Sequence, residues 1–303
     1  MKFDFLSESD QAYYIHKAST LVEALPYIRK HSGKNIVIKY GGHAMGDKKL
    51  SSNFSKDIGL LKEVGINPII VHGGGPQIED ELNKKNIVSK FINGLRITDI
   101  DTIKIVEKVL SKDVNKKIVN DINLSGGKAE GFFGNKNNLI NAKKIKIDQQ
   151  DNKSIDKDKY DLGFVGKPIK ININLIMQSI NKGHIPVIAP LGSDSQGNTY
   201  NINADTAAGF IAGSIKASKL LLLTDVPGIL DKNKKLISTL SFKDAKNIFN
   251  KEYVFGGMKP KIATCIDAIN HGVSEATILD GRIPHALILE LFTEHGIGTQ
   301  IYS

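Results

Sequence analysis

The 303-residue sequence predicts an α/β protein built on a mainly parallel sheet, and three features carry that reading. Short runs of branched apolar residues alternate with helical runs, beginning with a strand-helix-strand unit over 36–71. Three strands, 36–40, 68–71 and 219–224, run straight into glycine-bearing turns, as expected at the carboxyl edge of an open sheet where ligands bind. The length suits one large domain or two lobes sharing a sheet.

In the first strand Ile36, Val37 and Ile38 precede Lys39 and the pair Gly41-Gly42, which lets the backbone bend and approach a ligand closely. Read alone, this is as much an ordinary glycine turn as a phosphate site. The preceding run 10–31 has helical spacing, with Ser9 or Asp10 as cap and Pro26 splitting or kinking it. It is either a packing helix or an arm that meets another subunit. Residues 50–63 form a helix with Phe54, Ile58 and Leu61 on one face. The second strand leads into His72-Gly73-Gly74-Gly75 and Pro76, which opens a helix over 77–84. Two glycine loops feeding helix N-termini favour phosphate or carboxylate. Neither is a Walker A loop, because Asp47 follows Gly46 where lysine is required, and Gly296-Ile297-Gly298 lacks the third glycine of a dinucleotide fingerprint.

Residues 91–99 read as a loop, with Thr98 or Asp99 capping a helix to about residue 120. Arg96 in that loop is a surface residue or a fork for a carboxylate. The glycine-, lysine- and asparagine-rich stretch 122–171 suggests β-hairpins, with 148–159 an exposed loop. A helix over 175–182 and a strand over 185–190 follow. A polar turn at 192–200 leads to Asn201, Asn203 and Asp205, a denser polar group than a helix cap requires. The strand 219–224 runs into Asp225 and Gly228. Then come a helix (243–251), a glycine loop (255–261), a helix (262–271), a strand (275–280), a helix (284–292) and a last strand (299–302).

Composition excludes several classes. A hydrophobic share of 41% and a charged share of 24% are those of a soluble chain, and no apolar run reaches the ~18–20 residues of a membrane span. Residues 1–9 lack the pattern of a secretory signal. One cysteine, Cys265, leaves no internal disulfide and suits a reducing cytoplasm; it sits in an apolar helical pattern as a core residue rather than a nucleophile. The net charge of +9 comes from scattered lysines, which argues for compositional bias over nucleic-acid binding. Arginine is confined to Arg29, Arg96 and Arg282.

Six segments in order, 38–42, 71–77, 93–96, 201–205, 223–228 and 256–261, resemble the amino acid kinase family, specifically its branch acting on N-acetyl-L-glutamate. The resemblance implies a three-layer α/β/α sandwich, a helical arm (1–32), an amino-acid lobe (33–194) and an ATP lobe (195–303). It implies transfer of the γ-phosphoryl of MgATP to a side-chain carboxylate in arginine biosynthesis, with Mg2+ held mainly by the nucleotide and no metal ligands in the protein. Carbamate, glutamate, aspartate and UMP kinases are the alternatives, and a silent regulatory binder is argued against by the joint presence of Lys39, Asp205 and Lys261. By the same resemblance Lys39 and Lys261 flank the phosphoryl group and Asp205 orients both. Gly74, Gly75, Asn201 and Arg96 hold the amino acid, and Gly41, Gly42, Asp225, Gly228 and Gly257 the nucleotide. Feedback inhibition by arginine at Tyr13, Glu290 and Gly296, a dimer or a hexamer built as a trimer of dimers, and a PII-type regulator belong to the same set of expectations. His43, where the family often has asparagine, and His72 are expected to be structural, and 133–138 departs from the family's hairpin.

Overall fold

Eight strands form one sheet in the order Thr239–Ser241, Thr299–Tyr302, Glu275–Asp280, Lys219–Thr224, Asn35–Tyr40, Asn67–His72, Ile185–Ala189 and Ala129–Phe133. The computed structural model describes residues 3, 6–146, 161–254 and 256–303. All neighbouring pairs are parallel except Glu275–Asp280 with Thr299–Tyr302.

Ile36, Val37 and Ile38 are all fully buried, yet they face opposite ways. Val37 packs in a cluster with Ala208, Ile211 and Ile262, whereas Ile36 and Ile38 pack with Phe54, Ile58 and Leu61. Helices therefore cover both faces, giving the three layers, and this is why the central strands are continuously apolar rather than alternating.

The sheet starts at Asn35–Tyr40, builds outward through Asn67–His72, and later restarts on the other side of the first strand with Lys219–Thr224. The carboxyl ends of these strands frame a topological switch point, where open α/β sheets bind ligands. Lys39 and Thr224 lie at that edge.

Several elements differ from the sequence reading. Pro26 does divide the N-terminal run, into Glu8–Glu23 and Leu25–His31, but the cap is Ser7, whose Oγ accepts from Asp10 N at 3.2 Å. The loop 91–99 contains a small hairpin, Phe91–Ile92 with Leu95–Arg96. Asp99 caps Ile100–Lys108 as expected, but a π-helical turn, Val109–Val114, interrupts the run before Asn115–Leu124.

Among the described residues of 122–171, only Ile140–Lys144 and Val165–Ile171 pair antiparallel, while Ala129–Phe133 joins the main sheet in parallel. The expected turn at 192–200 is instead two strands, Leu191–Ser193 and Thr199–Ile202, which close a small four-stranded barrel with that pair. Local alternation predicts a strand without naming its partner, which tertiary packing selects. In 133–138, Asn137 and the adjoining Asn138 both adopt positive φ (53°) in a tight turn closed by Leu139 N donating to Lys136 O at 3.0 Å. The exposed loop expected at 148–159 lies outside the described residues, as does the side chain of His43.

The helix expected from residue 262 begins at Met258, because Pro260 is tolerated in a first turn where its missing N–H has no partner to lose. The one expected from 284 is Ala286–Phe292, preceded by His285 at φ 57°. Cys265 is fully buried and burial pushes its thiol pKa up, as a core residue requires.

Candidate active site

Asp205 lies in the first turn of the helix Ala204–Ser214, which Asn203 caps by accepting from Thr206 N at 3.0 Å. From there its carboxylate meets two lysines from distant parts of the chain. Lys39 Nζ stands 3.1 Å from Oδ1 and Lys261 Nζ donates to Oδ2 at 2.5 Å. Lys39 Nζ also donates to Leu223 O at 3.4 Å. Burial acts to raise the Asp205 pKa, but the charges of Lys39 and then Lys261 outweigh it and hold the carboxylate below its usual range. The result is two cations and one fixed anion, a pair of ammonium groups aimed by a common carboxylate.

Glycines pack against this triad. A Cβ at Gly41 would lie 3.3 Å from Lys39 Nζ and 3.6 Å from Gly73 Cα, so the two glycine loops touch beside the lysine. Gly42 is at φ +72°, where a Cβ would lie 2.6 Å from Asp225 Oδ1. Glycine at 42 thus serves both a left-handed turn and the approach of Asp225 from the neighbouring strand.

Beside the triad is a cleft of about 170 Å³ lined by Gly73, Gly74, Gly75, Arg96, Asn201 and Ala204, among others. Every residue expected to hold the amino acid therefore borders one space. Arg96 is buried and engaged: Nη1 donates to Glu79 Oε2 at 2.6 Å and to Ser89 Oγ, Nη2 donates to Gly75 O at 3.3 Å, and the guanidinium stacks over Phe91 at 4.6 Å. Its hydrogen bond holds the Glu79 carboxyl below its usual pKa. Asn201 Nδ2 donates to Thr98 Oγ1 at 3.4 Å.

The expected nucleotide residues are more dispersed. Asp225 follows the strand Lys219–Thr224 beside Gly42. Gly228 packs on Thr299, whose Oγ1 accepts from Ile229 N at 2.8 Å. Gly257 is the N-cap of the helix carrying Lys261, with open space where a Cβ would stand.

Of the expected effector residues, Glu290 and Gly296 meet, since a Cβ at Gly296 would lie 2.6 Å from Glu290 Oε2. Glu290 is buried, with Oε1 3.2 Å from Lys219 Nζ and Oε2 accepting from Ile297 N at 3.0 Å. His31 is buried near them, its pKa lowered to about 4 by burial and then by Lys219. Tyr13 is exposed on the first helix.

Sequence reasoning missed Glu79 and Ser89 as anchors of Arg96, and Asp280, whose carboxylate receives Arg282 Nε at 2.9 Å and Nη2 at 2.7 Å. The scarcity of arginine was the available signal for the second. It also passed over Asn115, which contacts His72.

The residues 34–280 match the profile of the Amino acid kinase family. The chain belongs to the amino acid kinase family. Its relatives include proteins named acetylglutamate kinase from Rhodospirillum rubrum, 51% identical over 95% of this chain and 93% of that protein, and from Geobacter sulfurreducens, 47% identical over 96% and 99%. Among solved structures, N-acetylglutamate synthase from Neisseria gonorrhoeae complexed with coenzyme A and N-acetyl-glutamate superposes with a TM-score of 0.82 at 26% identity. That match covers 94% of this chain, which spans 63% of the synthase. A carbamate kinase from Giardia lamblia bound to AMP-PNP, at 15% identity, 90% and 99% coverage and a TM-score of 0.60, shares the family fold.

A pH dependence follows from the fully buried His72, whose pKa burial lowers to about 4 despite its bond to the Gly73 carbonyl. The unfolded chain takes up this proton near 6.5 and the folded protein resists it, so the stability is whole above 6.5 and is lost as pH falls toward 4. Between pH 7 and 4 the wild-type protein is expected to lose roughly 3 kcal/mol more unfolding free energy than His72→Asn. Urea titrations at several pH values measure the difference, and parallel losses in the two proteins would refute it.

Proposed function

We propose that this protein transfers the γ-phosphoryl group of ATP to the side-chain carboxylate of N-acetyl-L-glutamate, forming N-acetyl-L-glutamyl 5-phosphate in arginine biosynthesis. The observation that carries it is the Lys39–Asp205–Lys261 triad beside the cleft of Gly73–Gly75, Arg96 and Asn201, which Ala204 borders. Relatives of about half-identical sequence named for this activity support the choice of substrate.

The attacking carboxylate is already ionised at neutral pH, so no general base is needed. The difficulty is to bring two anions into contact in line. Lys39 and Lys261 neutralise charge on the transferring group from two sides, and Asp205 keeps both ammonium groups in place. The Gly41 and Gly42 amides receive phosphate, and the Gly74 and Gly75 amides with Asn201 and Arg96 receive the amino acid. Residues 33–194 supply most of the amino-acid side and 195–303 most of the nucleotide side, with Asn201 reaching across. Mg2+ would enter on the nucleotide phosphates, where it screens their charge.

A coupled assay with ATP and N-acetylglutamate, glutamate or carbamate tests the reading. Turnover is expected with N-acetylglutamate, and turnover of carbamate or free glutamate in its place would overturn it.

The same reading extends to regulation in the cytoplasm. The helix Glu8–Glu23 buries none of its residues and exposes Tyr13, Tyr14, Ile15, Leu21 and Val22, a surface suited to pairing subunits into a hexamer. Arginine would bind where the second helix of the arm, Leu25–His31, nears Glu290. Deleting residues 1–23, which spares the buried His31, is expected to leave an active dimer insensitive to arginine. Retained millimolar inhibition or an intact hexamer would count against this role.

A further inference from the structure

The π-helical turn Val109–Val114 interrupts an otherwise α-helical run and lies directly behind the substrate cleft. Such turns carry an extra residue and tend to persist where they place a side chain that α-helical spacing would misplace. Here they place three. A Cβ on Gly74 would lie 2.5 Å from Leu110 Cδ2 and 3.6 Å from Val114 Cγ2, so both side chains press against the glycine loop. The next residue, Asn115, is 2% exposed and reaches under the sheet.

Asn115 Nδ2 donates to Val187 O at 2.9 Å and lies 3.1 Å from His72 Nε2. A backbone carbonyl can only accept, so the Val187 contact identifies this atom as the amide nitrogen. Its second hydrogen points to His72 Nε2 at 3.1 Å rather than to the more distant Phe132 O at 3.5 Å, and since Nδ1 can only donate to the Gly73 carbonyl, Nε2 is the bare, accepting nitrogen of the neutral ring. The ring proton is left on Nδ1, 2.7 Å from Gly73 O, and is donated there. Gly131 permits the arrangement, since a Cβ there would lie 2.3 Å from Asn115 Oδ1.

The consequence falls on the next peptide. In a planar trans peptide the C=O and the following N–H point in opposite directions. Drawing the Gly73 carbonyl back toward His72 turns the Gly74 N–H away from the core, toward the cleft that Gly73, Gly74 and Gly75 line. Gly73 N meanwhile donates to Tyr40 O at 2.7 Å, which ties the loop to the end of the Lys39 strand.

We propose that His72 and Asn115 are positioning residues for the amino-acid substrate: Asn115 holds the His72 ring in the Nδ1–H form, and the ring orients the Gly73–Gly74 peptide so that its N–H meets the substrate. The substrate part of this inference rests on the function proposed above; the ring tautomer does not.

Two variants separate orientation from mere packing. Asn115→Asp keeps size but puts an acceptor opposite Nε2, drawing the proton to that nitrogen and removing the donor to Gly73 O. His72→Gln moves the amide away from the Nδ1 position, whereas His72→Asn places an amide N–H close to it. Losing one hydrogen bond to a charged ligand corresponds to about 10- to 100-fold in affinity. For N115D and H72Q, KM for N-acetylglutamate is expected to rise at least about tenfold, with KM for ATP changed less than about twofold and kcat within about threefold. H72N restores the KM for N-acetylglutamate to within about threefold of wild type.

Nitrogen-15 NMR of the imidazole reads the relay without any substrate. The wild-type His72 is expected to show a protonated Nδ1 and a bare Nε2, and N115D a protonated Nε2. A wild-type ring protonated on Nε2, equal KM values in H72Q and H72N, or a uniform fall in kcat for both substrates would overturn the proposal. If wild-type protein fails to phosphorylate N-acetylglutamate, the substrate assignment falls, and the spectrum still decides the relay.

Discussion

Lys39→Ala and Lys261→Ala are each expected to lower kcat by roughly 10²–10³-fold, the usual cost of removing one group that stabilises transition-state charge. Both ammonium groups contact the same carboxylate, at 3.1 and 2.5 Å, so each variant leaves Asp205 with the other cation as counter-ion. Neither exposes an unpaired buried charge, and both proteins should therefore stay folded. The fall should appear in kcat with both substrates saturating, because the lysines act on charge that spreads over the phosphoryl oxygens during transfer. Steady-state kinetics beside thermal unfolding decides the matter. Near-wild-type turnover in either folded variant would remove that lysine from the chemistry.

Glu290→Ala is expected to have the largest effect on stability. Its carboxylate and Lys219 Nζ have side chains only 4% and 6% exposed, and Glu290 also receives the Ile297 N–H. Truncation leaves a buried ammonium with Glu275, 3.4 Å away, as its remaining carboxylate, and frees the loop that carries Gly296. Removing one partner of a buried pair costs about 3–5 kcal/mol. The remaining Glu275 contact places this case at about 3 kcal/mol, a fall of roughly 5 °C in melting temperature for a chain of this length. Replacing both partners, as in Lys219→Met with Glu290→Leu, should recover much of the loss, since no charge then remains buried. A single variant as stable as wild type would show that the pair is not desolvated in solution.

The parts of the site that were legible beforehand are those written in adjacent residues. The turn after Tyr40 and the run Gly73–Gly75 announce themselves because only glycine lets a backbone turn and approach so closely, and the cluster at Asn201, Asn203 and Asp205 exceeds what a helix start requires. The central strands were legible because burial on both faces leaves no polar position to confuse the pattern. Boundaries near proline were less so: Pro260 marked a loop in the sequence but sits inside the first turn of the helix that carries Lys261.

By itself, then, the sequence determined the α/β architecture, the two glycine loops and, through resemblance, the identities of Lys39, Asp205 and Lys261. Only the tertiary structure decided what each one touches. Lys39 and Asp205 are 166 positions apart, yet they meet because the helix Ala204–Ser214 packs against the strand Asn35–Tyr40. The pairing of Arg96 with Glu79 and of His72 with Asn115 likewise depends on a π-turn and a hairpin. The physical reason is range: propensity and turn chemistry act over a few residues, whereas strand order, burial and charge pairing are settled by the competition of the whole chain for one core.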